Sequence, residues 1–188
     1  MLKAHHFAFL AISATICLGL YTYRPVQNPF NMSKTKHSSQ ADIQPQVRLE
    51  IASINTVDSI PKVQLVAHVS NPSSETPITI LRWNSVLDPQ AGRLGTISLR
   101  NRNGGKALEV PSIMINRKMP PPKEEYIRIA PGGSTSNTIT LALATSKLES
   151  GGGYEALAEG QFMEVYHADA EEPQRVVPYS CDPVHFSG

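Results

Sequence analysis

Between residues 46 and 181 the sequence predicts an all-β fold, an antiparallel sandwich of about seven to nine strands. Three observations predict it. Apolar residues recur in short runs with a period of two, the spacing of a strand that buries one face. Pro, Gly and Asn clusters cut these runs at the regular spacing of a sandwich, and no segment sustains a helical stripe. Proline supplies 15 of the 188 residues, about 8% against a usual ~5%. Its ring breaks helices and its missing N–H confines it to turns and strand edges.

The elements follow in order. Val47, Leu49 and Ile51 alternate with Arg48 and Glu50, which gives a first half-buried strand. Val63, Leu65, Ala67 and Val69 repeat the pattern, and Asn71-Pro72-Ser73-Ser74 ends it with turn chemistry. A third strand runs through Ile78 and Ile80 and extends to Trp83, before a loop at Asp88-Pro89-Gln90-Ala91-Gly92. Thr96–Arg100 and Lys106–Val110 flank Asn101-Arg102-Asn103-Gly104-Gly105, the strongest hairpin signal in the chain. Ile113 and Ile115 suggest a short extension. Met119-Pro120-Pro121-Pro122 then excludes a sheet. Tyr126–Ile129, Thr138–Leu143 and Glu155–Val165 complete the set, separated by Pro131-Gly132-Gly133 and Gly151-Gly152-Gly153. Ala142–Glu149 comes nearest to a helical turn. The expected architecture is an immunoglobulin-like β-sandwich.

The N-terminus sets the compartment. A weakly basic lead, Met1–His6, precedes the uncharged run Phe7–Tyr23, the pattern of a secretory signal. Cys17 and Gly19 place small side chains at −3 and −1 of a cleavage after Gly19. The run is also at the lower length limit of a membrane span, so a retained type II anchor is the alternative. Residues 1–23 are therefore signal or anchor and 24–45 a polar, mildly basic linker. Residues 46–181 form the module and 182–188 a tail. Asn31-Met32-Ser33 is a glycosylation sequon in the linker. A formal net charge of +1 argues against nucleic acid.

Catalytic chemistry finds no foothold. None of the six histidines lies in a His-Glu-x-x-His motif, and His68 takes an outward strand position. His167 with Asp169, Glu171 and Glu172 reads as a solvated acidic turn. There is no Gly-x-Ser-x-Gly elbow, phosphate loop or dinucleotide fingerprint. No catalytic residue, metal or cofactor is expected. Cys181 would be alone in a mature chain, either a free thiol or a half-cystine with a partner on another chain.

One segment stands out as a contact surface. Consecutive prolines are extended and pre-ordered, with little entropy left to lose on binding. Pro120, Pro121 and Pro122 lie between Arg117-Lys118-Met119 and Tyr126. These seven residues are the candidate partner-binding set; a plain interstrand loop is the alternative.

On these residues the stretch from Val47 to Cys181 resembles the pro-region of the deuterolysin and peptidyl-Lys metalloendopeptidase family of fungal secreted zinc proteases. The matching points come in the family's order. Val69 to Thr79 resembles its strand, Asn turn and next strand. Glu109-Val110-Pro111 with Ile115, Arg117 and Lys118 resembles its apolar-then-basic segment. Ile129-Ala130-Pro131-Gly132, Ser150-Gly151-Gly152 and Val177-Pro178-Tyr179 resemble its later turns. The resemblance implies a non-catalytic prodomain-like module, acting on a secreted zinc metalloprotease as inhibitor or folding assistant. The family's peptidase domain has no counterpart before Gly188, so no zinc ligand is carried over. Two rival expectations stand beside it: an extracellular recognition module with another partner, and the N-terminal fragment of a longer protease precursor.

Overall fold

The computed structural model describes residues 43–144 and 148–188, and all of its regular structure beyond two short 3-10 turns is β. The signal or anchor, most of the linker and Asn31 lie outside the described residues. Ile43 already packs against the core and Pro45 is buried.

A two-residue turn joins the first two strands, β1 (Gln46–Val57) and β2 (Ile60–Ser70), with Val57 opposite Ile60. Asp58 and Ser59 both take positive φ, 51° and 63°, the backbone that a two-residue hairpin requires to follow the strand twist. β2 alternates without a slip: Val63, Leu65, Ala67 and Val69 are fully buried, while Gln64, Val66 and His68 lie on the opposite face. β7 (Ser134–Ala142) pairs with its other side and closes a three-stranded sheet of order β1-β2-β7.

The second sheet is built around one long strand, β8 (Gly153–His167). β4 (Ile97–Asn101) and β10 (Val184–Ser187) pair with its first half. β3 (Ile78–Leu81) and β9 (Gln174–Ser180) pair with its second half. β5 (Ala107–Leu108) extends the sheet beyond β4, and β6 (Tyr126–Ile129) extends it beyond β3. All pairings are antiparallel, and the two sheets enclose one core. Leu65, Val69, Ile139 and Leu141 from the first sheet meet Ile78, Ile80, Leu99, Phe162, Val165 and Val177 from the second. Each such side chain contributes roughly 1.5–3 kcal/mol through removal from water.

The sandwich is as expected, and the differences have local reasons. The third strand ends at Leu81, because the chain turns at Arg82–Ser85 and Trp83 joins the turn. Residues 113–118 alternate in exposure with period two, Ile113, Ile115 and Arg117 half-buried, yet pair with no strand. Val184–Ser187, read as tail, is a strand because the first half of β8 offers an unpaired edge there.

One residue links the sheets at one end. Asn71, 1% exposed, donates from Nδ2 to Thr76 O (2.8 Å), Ala130 O (3.2 Å) and Ile129 O (3.3 Å). Its backbone N–H reaches Gly133 O, and Gly132 N–H reaches Ser73 O. The Asn71 turn and the Ala130-Pro131-Gly132 turn, two of the motifs noted in sequence, thus form one hydrogen-bonded unit.

The hairpin generates the first prediction. Asp58 and Ser59 bear a Cβ in left-handed backbone that glycine enters freely. Ser59→Gly should stabilise by about 1 kcal/mol and raise Tm by roughly 3 °C in a domain of this size. A calorimetric scan showing a lower Tm would rule out the two-residue turn.

Candidate functional site

Arg82–Leu94, the segment after β3, is shaped by a buried carboxylate. Asp88 has no exposed surface. Its Oδ2 accepts from Asn84 N–H (2.8 Å) and its Oδ1 from Gln90 N–H (2.9 Å). Its Oδ2 also receives the Arg117 guanidinium. The Asp88 backbone is equally committed, its N–H to Ser85 O and its carbonyl to Ala91 N–H. Asn137 of β7 adds Nδ2 bonds to Val86 O and Asp88 O, each 2.9 Å. Tyr179 of β9 accepts the Val86 N–H at 3.1 Å. Burial pushes the Tyr179 phenol up to about 12, partly offset by that N–H.

Arg117 brings the proline-rich segment onto this base. Its guanidinium carbon lies 5.1 Å from the Trp83 ring centroid, a cation–π contact on a buried indole. Residues 109–125 form a strap tied at four places. Glu109 O accepts Ala144 N–H, Ile113 N–H reaches Arg93 O, Arg117 meets Asp88, and Glu125 meets Arg82 at 2.6 Å. The Arg82 hydrogen bond holds the Glu125 carboxyl below its ordinary value against the opposing effect of burial.

Of the seven candidate contact residues, the structure separates anchors from presented groups. Arg117 is an anchor, with only 18% of its side chain exposed. Lys118, Met119, Pro120 and Pro122 face outward and Pro121 is half-buried; Met119 is 66% exposed. Met114, which the sequence reading passed over, is fully exposed on the same strap. Its alternation with Ile113 and Ile115 was the available signal. Tyr126 begins β6 where the strap ends; its hydroxyl donates to Glu164 Oε2 at 2.9 Å.

The remaining candidates lie elsewhere. His68 is 3.4 Å from Glu50 in an outer-face pair, and His167 Nε2 lies 3.2 Å from Gln174 Oε1. Among the described residues no cluster of His, Cys, Asp and Glu could hold a metal. Cys181 is a half-buried free thiol beside an open cavity of about 870 Å3 lined by residues 44–47, 159–160 and 178–182. Burial pushes the thiol up, and the Ala158 N–H on Sγ (3.4 Å) opposes the rise. No helix among the described residues is long and apolar enough to cross a membrane.

Comparison with protein families agrees with this architecture. The family of the immunoglobulin-like domain matches residues 48–178, and the chain belongs to that family. A protein of Arthroderma benhamiae named "Uncharacterized secreted protein" is 29% identical over 130 residues, 68% of this chain. The match spans 66% of that relative's length. The X-ray structure of a Northeast Structural Genomics Consortium target aligns at TM-score 0.36 and 13% identity, over 78% of this chain and 87% of the other. Neither the family's description nor these names mention deuterolysin.

Two predictions follow from the geometry. Arg117→Ala leaves a buried carboxylate without its cation and should cost about 3 kcal/mol, read as a lower urea midpoint at unchanged slope. The double variant Asp88→Asn with Arg117→Ala should recover part of that loss. If the two substitutions add instead, the pair is not coupled. For Cys181, a folded pKa above the ordinary thiol value means less thiolate, the reactive species, at a given pH. Iodoacetamide at pH 8 should label the folded chain more slowly than the urea-unfolded chain. The gap should close as pH rises through the folded pKa, and equal rates at pH 8 would contradict it.

Proposed function

We propose that this protein is a secreted, non-catalytic immunoglobulin-like module that binds an extracellular protein through its strap. One observation carries the reading: an outward row of Met114, Lys118, Met119 and Pro120 is displayed on backbone fixed by the Asp88–Arg117 pair. Exposed methionines adapt to varied apolar surfaces, and a prolyl segment held in place binds with little ordering cost. The signal-like N-terminus and the name of the Arthroderma benhamiae relative support an extracellular setting, with a type II anchored form as the alternative. The module requires no cofactor for this role.

A narrower version names the partner as a deuterolysin-type zinc endopeptidase, inhibited or assisted in folding. The order of the matching motifs favours it, from the Asn71 turn to Val177-Pro178-Tyr179. Against it stands the structural role of several of those residues, which the fold itself requires: Asn71 and Gly132 join two turns, and Arg117 pairs with Asp88.

The test is capture from culture fluid by the intact secreted protein, compared with Met119→Asp and Lys118→Glu. Both substitutions touch solvent and should leave Tm within about 1 °C, since exposed sites rarely shift stability by more than ~0.5 kcal/mol. The captured partner should bind Met119→Asp at least about tenfold more weakly, a loss of ~1.4 kcal/mol. The narrower version further expects a captured zinc peptidase whose activity falls on addition of the module. Undiminished binding by both variants would remove the strap from the interface.

A further inference from the structure

Beside the foot of the strap, the outer face of the larger sheet carries a hollow of about 410 Å3 lined by Thr79, Lys123, Tyr126, Tyr166, Ala168 and Ala170. That volume falls within the roughly 300–1,000 Å3 of small-molecule sites. The strand register assembles it: Thr79 of β3 stands between Arg128 of β6 and Tyr166 of β8. Tyr126 and Tyr166 pack edge to face, with centroids 5.9 Å apart and planes at 73°. Both hydroxyls donate to the same oxygen, Glu164 Oε2, at 2.9 and 3.3 Å. Burial, then Glu164, holds both phenols above their ordinary value, so they persist as neutral donors.

This arrangement fixes two aromatic rings before any ligand arrives. A carboxylate has about four acceptor sites, so Glu164 keeps capacity after receiving two hydroxyls. Lys123 at the rim adds a donor. Ala168 and Ala170, on the turn after β8, leave the mouth wide. Charge narrows the ligand class. A cation entering here meets Lys123 and the field of Arg175, which acts on Tyr166. An anion meets the field of Glu164, which acts on both phenols. A neutral polyol is opposed by neither field, hydrogen-bonds to Lys123 and Thr79, and lays its C–H face on the tyrosine rings.

We propose that this hollow is a subsite for a neutral sugar residue, with Tyr126 and Tyr166, held by Glu164, as the packing surface and Thr79 and Lys123 as polar contacts. The hollow shares Lys123 and Tyr126 with the foot of the strap, and its ligand class follows from its own lining.

Isothermal titration of the intact secreted protein tests it, with cellohexaose, laminarihexaose and chitohexaose as neutral probes. Hexagalacturonate and a hexalysine peptide serve as charged controls at matched ionic strength. The expected result is binding of at least one neutral hexasaccharide at one site per chain, and weaker binding of both charged probes. Tyr166→Ala should weaken the neutral probe at least about tenfold, while Tyr166→Phe, which keeps the ring, should cost less than about fivefold. Ala170→Trp, at an exposed rim position, should block the hollow with Tm unchanged. It decides the matter if Tyr166→Ala does not fold. No heat with any neutral probe up to about 10 mM, preference for a charged probe, or undiminished binding by Ala170→Trp would each overturn the proposal.

Discussion

A carboxylate removed from water must have its lone pairs met by donors, and Asp88 is the place where this protein meets that demand. Two backbone N–H groups of its own turn and the guanidinium of a residue 29 positions later supply the donors. None of these is optional, since withdrawal of the cation would leave a buried charge uncompensated. The same constraint that curls Arg82–Leu94 into a compact turn therefore pulls the chain at Arg117 back across it. The strap is a consequence of that pairing rather than of any pairing between strands.

The Asp88 turn also protects the sheet. β7 is an edge strand, and an exposed edge is a template for association with another chain. Asn137 of β7 grips the carbonyls of Val86 and Asp88, which lays the turn along the edge. Gly92 sits so close that a Cβ there would fall 2.3 Å from Thr140 O, a contact only glycine permits. One turn thus covers an edge, buries Trp83 beneath Arg117 and supports the outward row of Met114, Lys118 and Met119. The outward row and the closure of the fold share a foundation.

Strands with clean alternation were legible because their period reports burial directly. β2 and most of β8 are read from Val63–Val69 and from the run Glu155–Val165. The β1–β2 hairpin was not, because Asp58-Ser59 adopts positive φ without the glycine or asparagine that usually announces it. β9 and β10 contain or border Pro178 and Pro183, and neither segment carries a clean run of alternation. Both are held by β8, β9 as the strand that follows it and β10 from about 30 residues further on than its partners in the first half of β8. In the candidate site, the sequence singled out the proline segment and Tyr126. It did not distinguish Arg117 as an anchor from Lys118 as a presented group, since both are basic and adjacent.

By itself the sequence determined the class of fold, the single core and the absence of a local catalytic motif, because periodicity, turn chemistry and motif spacing are local properties of the chain. Tertiary structure alone decided what the notable residues do. Asp88 and Arg117 meet across a loop, Asn71 joins turns 59 residues apart, and Tyr126 converges with Tyr166 on Glu164 through the register of β6, β3 and β8. Each depends on which strands neighbour one another, a choice made by the shape of the whole core and by no short segment of the chain.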